Sequence, residues 1–200
     1  EEFSCILLVR EPIGRFETCY NARLASQMGG RPLHRLSRSE LKQALLSREA
    51  GSRTCTNEIV RWMAPTRGWG EEKVGQAGLF LSDLELHETK RRMELCVVAN
   101  IVDHCSETVE VLVFWFPWLA GRLSRLCSLP GSQKAVFDPS AKLRGDEEVL
   151  SPALEEWQRD LIAQHNLQDM ELYQHGMRRF SCMLMRARAV RAARISRGSQ

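Results

Sequence analysis

Apolar residues along this chain fall into short unbroken runs and longer stretches spaced as helical faces. The run Phe3-Ser4-Cys5-Ile6-Leu7-Leu8-Val9 has the length and branched content of a buried strand. Arg10-Glu11-Pro12 follows, and Pro12 suits the first position of a helix because its missing N–H costs nothing there. A helix over about residues 11–27 ends at Gly29-Gly30-Arg31-Pro32, since glycine caps a helix and proline cannot continue one. Ser39 is placed to cap a helix through about residue 46, and Thr56 another through about residue 63. Residues 64–78 hold five glycines or prolines and read as a loop. Ser82 then opens a helix to about residue 95, residues 96–102 form a second apolar strand, and Ser106 caps an apolar helix ending before Pro117. Residues 127–152 are a polar connecting loop, with two more helices beyond it. The pattern predicts a mostly helical chain with strands at 3–9 and 96–102. They pair in parallel because their connection is long and helical. Two strands make no stable sheet alone, so partner strands are expected upstream.

Composition adds limits rather than a function. Two hundred residues, 44% of them hydrophobic, suffice for one domain, or a domain plus a tail. A net charge of +3 is too small to argue for nucleic acid. No apolar run approaches the roughly 18 to 20 residues of a spanning helix. The seven cysteines show no C-x-x-C spacing and no histidine at zinc-finger distance, so no metal site is expected. They are either disulfides of an oxidising compartment, with an odd one left over, or buried thiols packing as small hydrophobes. Connectivity is not readable from spacing.

The chemistry concentrates at Val9-Arg10-Glu11-Pro12-Ile13-Gly14-Arg15-Phe16-Glu17-Thr18. Arg10 ends a strand beside a helix N-terminus, whose free N–H groups attract anions. Thr18 returns to the helix face of Glu11 nearly two turns later. The pair suits one phosphate, the arginine as a charged fork and the threonine as a hydroxyl donor.

This segment resembles the 3′-phosphate-binding motif of the sulfotransferases that use 3′-phosphoadenylyl sulfate (PAPS), closest to the Golgi carbohydrate sulfotransferases of the heparan sulfate 6-O-sulfotransferase-like group. Glu11 stands for the usual Asp, Thr18 for the usual Ser, and Tyr20 fills the aromatic position. Further segments are similar in the same order: Cys55-Thr56-Asn57 with Val60-Arg61, the helix-then-strand passage over 84–103, the apolar helix over 109–119, and Asn166-Leu167-Gln168-Asp169 with Leu172-Tyr173 and Phe180. The resemblance implies an α/β, P-loop-like sulfotransferase fold with a small parallel sheet, mostly helical in this chain. It implies a partial domain over 1–183 whose amino-terminal phosphosulfate-binding part lies upstream, since no Gly-x-x-x-x-Gly-Lys pattern occurs. The chain by itself is then expected to be inactive.

The same resemblance implies PAPS as co-substrate, a glycan or polysaccharide acceptor, and a Golgi-luminal, type II membrane protein anchored upstream of these residues. Arg10 and Thr18 become the cofactor-binding residues. Ser140 and Lys142, in Phe137-Asp138-Pro139-Ser140-Ala141-Lys142, lie where the family closes over the nucleotide. Arg15 is expected to pair with an acid rather than with a ligand. No catalytic base is assigned; of the five histidines only His104 falls at a strand end, where a structural role is the plainer reading.

A rival reading rests on the end of the chain. After Glu171 no acidic residue occurs, while seven arginines do. Residues 184–200 read as a basic, frayed tail. The alternative function is an Arg-rich helical module for acidic partners such as RNA or glycans, although the sulfotransferase reading expects no nucleic acid.

Overall fold

A computed structural model of the chain describes residues 5–46, 55–63, 81–123, 127 and 153–198. In chain order the elements are β1 (Cys5–Leu8), α1 (Pro12–Cys19) continued by a π-helical turn (Tyr20–Leu24), a 3-10 turn (Leu33–Arg35), α2 (Arg38–Leu46), α3 (Glu58–Met63), α4 (Asp83–Met93), β2 (Cys96–Ala99), α5 (Cys105–Trp115), a second 3-10 turn (Pro117–Leu119), α6 (Ala120–Leu123), α7 (Glu156–His165) and α8 (Leu167–Gly198). The described chain is mostly helical with one small parallel sheet. The expected loops at 64–78 and over most of 127–152 lie outside the described residues, as do Phe3, Ser4, Ser140 and Lys142.

Two compact units divide the chain; the resemblance implies one partial domain over 1–183. The first takes Glu1–Arg10, Arg91–Val136 and Tyr173–Gln200; the second takes Glu11–Lys90 and Phe137–Leu172. Both are discontinuous in sequence, so no linker composition marks them.

In the first unit β1 and β2 pair in parallel, in register from Cys5 against Cys96 to Leu8 against Ala99. This is the expected pairing. The strands are shorter than expected, and β2 stops at Ala99 for a local reason. The Asn100 side chain accepts the Asp103 N–H at 3.1 Å and donates to the Asp103 carboxylate at 3.0 Å, which closes a turn. The Asn100 N–H donates to the Thr108 hydroxyl at 3.0 Å, and that hydroxyl donates to the Asn100 carbonyl at 2.8 Å. All four β2 residues are buried, whereas Ile6 and Leu8 of β1 are 42% and 49% exposed. Disulfides join Cys5 to Cys96 and Cys105 to Cys127. α8 lies close against this layer at Gly176, where a Cβ would stand 3.1 Å from Met93 Cε, 3.3 Å from Val9 Cγ1 and 3.7 Å from Val98 Cγ1.

The second unit is built on an apolar face of α1 and its continuation. Ile13, Phe16, Tyr20 and Leu24 are buried with Leu41 and Leu45 of α2 and Leu161 and Ile162 of α7. The expected single helix over 11–27 is instead an α-helix to Cys19, a π turn with Ala25 N–H on the Tyr20 carbonyl at 2.9 Å, and a turn through Gly29 and Gly30. The reason lies in the spacing. Phe16, Tyr20, Leu24 and Met28 recur every four residues, and such a row drifts about 40° per step on an α-helix. A wider turn keeps them on one face, and all four are buried. Gly29 and Gly30 have φ of +70° and +72°, a conformation that side chains with a Cβ rarely adopt.

Caps moved where a better partner stood nearby. α2 is opened by Ser37, not Ser39: Ser37 N–H donates to the Glu40 carboxylate at 2.8 Å and Glu40 N–H to Ser37 Oγ at 3.4 Å. That reciprocal box needs an acid three residues on, which Ser37 has and Ser39 lacks. Ser82 and Glu85 open α4 in the same way, as expected of Ser82. α5 begins at Cys105 with His104 rather than Ser106 at the cap position. α8 is helical as far as Gly198, through the residues read from sequence as a basic tail.

Candidate functional site

The Arg10 segment begins where β1 ends. Val9 is buried and extends the pairing, its N–H donating to the Ala99 carbonyl at 2.8 Å. Arg10 follows, half-buried, with no hydrogen bond or ion pair to its guanidinium among the described residues. It closes a segment of the first unit; Thr18 belongs to the second.

The start of α1 differs from the anion-attracting N-terminus expected beside Arg10. Pro12 has no N–H, the Gly14 N–H donates to the Glu11 carboxylate at 2.7 Å, and the Arg15 N–H donates to the Glu11 carbonyl at 3.0 Å. The helix is thus capped by its own negative charge, which repels a second anion. Thr18 is half-buried, and its hydroxyl donates to the Gly14 carbonyl at 3.1 Å. The hydroxyl proton is thus engaged within α1.

Three segments of the resemblance meet inside the second unit, in a buried polar cluster. Asp169 has no exposure. Its carboxylate takes the Arg15 guanidinium and the first N–H groups of α3, Val60 at 2.9 Å and Ile59 at 3.3 Å. Arg15 therefore pairs with an acid, as expected. The capping of α3, expected of Thr56, is supplied in part from the start of α8. Asn57, at φ +46°, donates its N–H to Asn166 Oδ1 at 2.9 Å, and Asn57 Oδ1 accepts the Asp169 N–H at 3.4 Å. The Cys19–Cys55 disulfide ties α1 to the residues just before α3. These bonds turn the polar groups of three segments on one another, a structural arrangement: they hold α1, α3 and the first residues of α8 in place within the unit. The sequence offered no local signal for it, because Arg15 and Asp169 stand 154 residues apart.

His104 opens α5 and packs on Phe180 with ring centroids 6.0 Å apart, a structural setting. Ser140 and Lys142 lie outside the described residues. Among the described residues no three His, Cys, Asp or Glu groups stand where a metal ion could be held, and no helix is long and apolar enough to cross a membrane. No protein-family model matches the chain, and no curated protein and no solved structure matches it either.

Proposed function

We propose that this chain serves a PAPS-dependent carbohydrate sulfotransferase of the α/β, P-loop-like fold, working in the Golgi lumen on a glycan hydroxyl. The observation that carries the reading is the motif from Arg10 to Thr18: a strand ends, a half-buried guanidinium with no partner among the described residues follows, and a helix opens at Pro12. Arg10 is the fork that reads the 3′-phosphate of the donor, and Thr18 is the hydroxyl of the same motif. Three disulfides among the described residues suit an oxidising lumen. Sulfuryl transfer is an in-line displacement, so the protein positions donor and acceptor and stabilises charge on the leaving phosphate, with one general base for the hydroxyl proton. No described residue is assigned as that base, and Arg10 and Thr18 fix the donor without taking part in bond making.

Calorimetric binding of adenosine 3′,5′-bisphosphate and of adenosine 5′-phosphate tests this. Arg10→Ala is expected to weaken the bisphosphate by about 2 to 3 kcal/mol, as for loss of a charge-assisted hydrogen-bond pair, and to leave the 5′-phosphate unchanged. Thr18→Ser should cost little and Thr18→Val more, because only serine keeps the hydroxyl. Equal weakening of both nucleotides by Arg10→Ala would make Arg10 a support of the fold and overturn the reading.

A further inference from the structure

The last three turns of α8 form an exposed, one-signed surface. Seven arginines follow Glu171 with no acid among them, and they outnumber the whole chain's net charge of +3, so the rest of the chain is net acidic. Of the four upstream arginines, Arg178 is exposed and the other three are engaged within the first unit. Arg179 donates to the carbonyls of Cys96 and Glu94, Arg186 stands 5.1 Å from the Trp115 ring centroid, and Arg188 forms a bidentate pair with Glu110 at 3.1 Å. Beyond Ala187 no described residue of the helix is buried. Arg191, Arg194 and Arg197 are all exposed, with no side-chain partner among the described residues. At i, i+3 spacing they are neighbours along one side of the helix.

Like charges at that spacing repel and weaken a helix, an effect only partly offset by cations suiting its C-terminal end. A ligand carrying closely repeated anions removes the repulsion by bridging them. We propose that Arg191, Arg194 and Arg197 form a docking surface for an acidic polysaccharide, a chain bearing repeated sulfate or carboxylate groups. Charge complementarity selects a polyanion. The three disulfides point to an oxidising compartment, where acidic polysaccharides rather than RNA are the abundant polyanions. Against a lipid surface, residues 188–197 carry no Trp, Phe or Leu to enter an acyl boundary. This surface does not rest on the nucleotide site at Arg10.

The test is binding of a heparin dodecasaccharide to the whole chain, without nucleotide, over a range of salt concentrations. The triple variant R191A/R194A/R197A is expected to bind about tenfold or more weakly and to flatten the dependence of log affinity on log salt by about 2 to 3, one increment per lost cation. The triple Arg→Lys variant keeps the charge and should stay within about threefold of the parent. Circular dichroism should show the helix retained in both. Unchanged affinity and slope in the alanine variant overturn the proposal, and so does loss of binding in the lysine variant with its helix intact. Binding of poly(U) RNA or phosphatidylserine vesicles through the same arginines, as tightly as heparin, overturns the assignment to polysaccharide. Failure here with normal bisphosphate binding leaves the donor site standing, and the reverse result leaves this surface standing.

Discussion

A carboxylate without solvent exposure is costly unless its lone pairs are met. Asp169 meets that demand with one guanidinium and two backbone N–H groups. Asp169→Asn keeps the shape but turns an N–H₂ toward these donors. It should lower stability by about 3 kcal/mol, seen as a shifted urea midpoint at unchanged m-value; a loss below about 1 kcal/mol would mean the cluster tolerates an unmet donor. Tyr20 supplies a pH-dependent counterpart. Its phenol is buried and donates to the Arg31 carbonyl at 2.8 Å. Burial pushes its pKa above the ordinary 10.0, Arg31 pulling it down and Glu40 pushing it up less strongly. A folded-state pKa raised above the unfolded one gives stability that is full below the unfolded value and lost as pH rises through the folded value. Above about pH 10 the parent should therefore lose thermal stability more steeply than Tyr20→Phe. Parallel melting-temperature profiles up to about pH 11 would contradict this.

Most elements here are short, and one of them has its end held by residues far away in the chain. α3 has six residues, too few to stand alone, and its first N–H groups are met from α8. Within the first unit α8 lies close against the sheet at Gly176, which lacks the atoms that would crowd there. Gly176→Val puts branched carbons against Met93, Val9 and Val98 and should destabilise by about 2 kcal/mol, in the range of overpacked cores. Gly176→Ala is the control. Its one added carbon meets the flexible end of Met93 at 3.1 Å, and alanine's helix preference offsets up to about 1 kcal/mol, so that variant should lie near the parent. If Val and Ala behave alike in denaturant unfolding, the close approach is not what glycine serves.

At the scale of the whole molecule, each unit is assembled from distant segments and carries its own disulfides. Of the seven cysteines six are paired, and Cys182 is an exposed free thiol. Cys19–Cys55 closes a separation of 36 residues in the second unit, and a cross-link of that span mainly restricts the unfolded chain. Replacing both by alanine should cost about 2 to 4 kcal/mol in chemical unfolding. The parent treated with reductant should lose at least as much, since its other two bridges open as well. A double variant as stable as the parent would mean that this bridge restrains little in the unfolded state.

Several local readings of the chain hold in the structure. The apolar runs around Cys5–Leu8 and Cys96–Ala99 form the parallel pair, Pro12 starts α1, Gly29 and Gly30 end its continuation, and Ser82 opens α4. Each is decided by the backbone preferences of a few neighbouring residues, which sequence carries in full. Arg10 too is legible, as a cation left at a strand end. Local as well, though misread, are the Ser37–Glu40 box that displaced Ser39 and the Glu11 carboxylate on the Gly14 N–H, each spanning three residues. The rest was decided by tertiary structure. The Arg15–Asp169 pair, the cap of α3, the choice of cysteine partners and the two discontinuous units depend on which buried polar groups meet across tens to more than a hundred residues. No local preference encodes such meetings, because their free energy exists only once the core has formed around them.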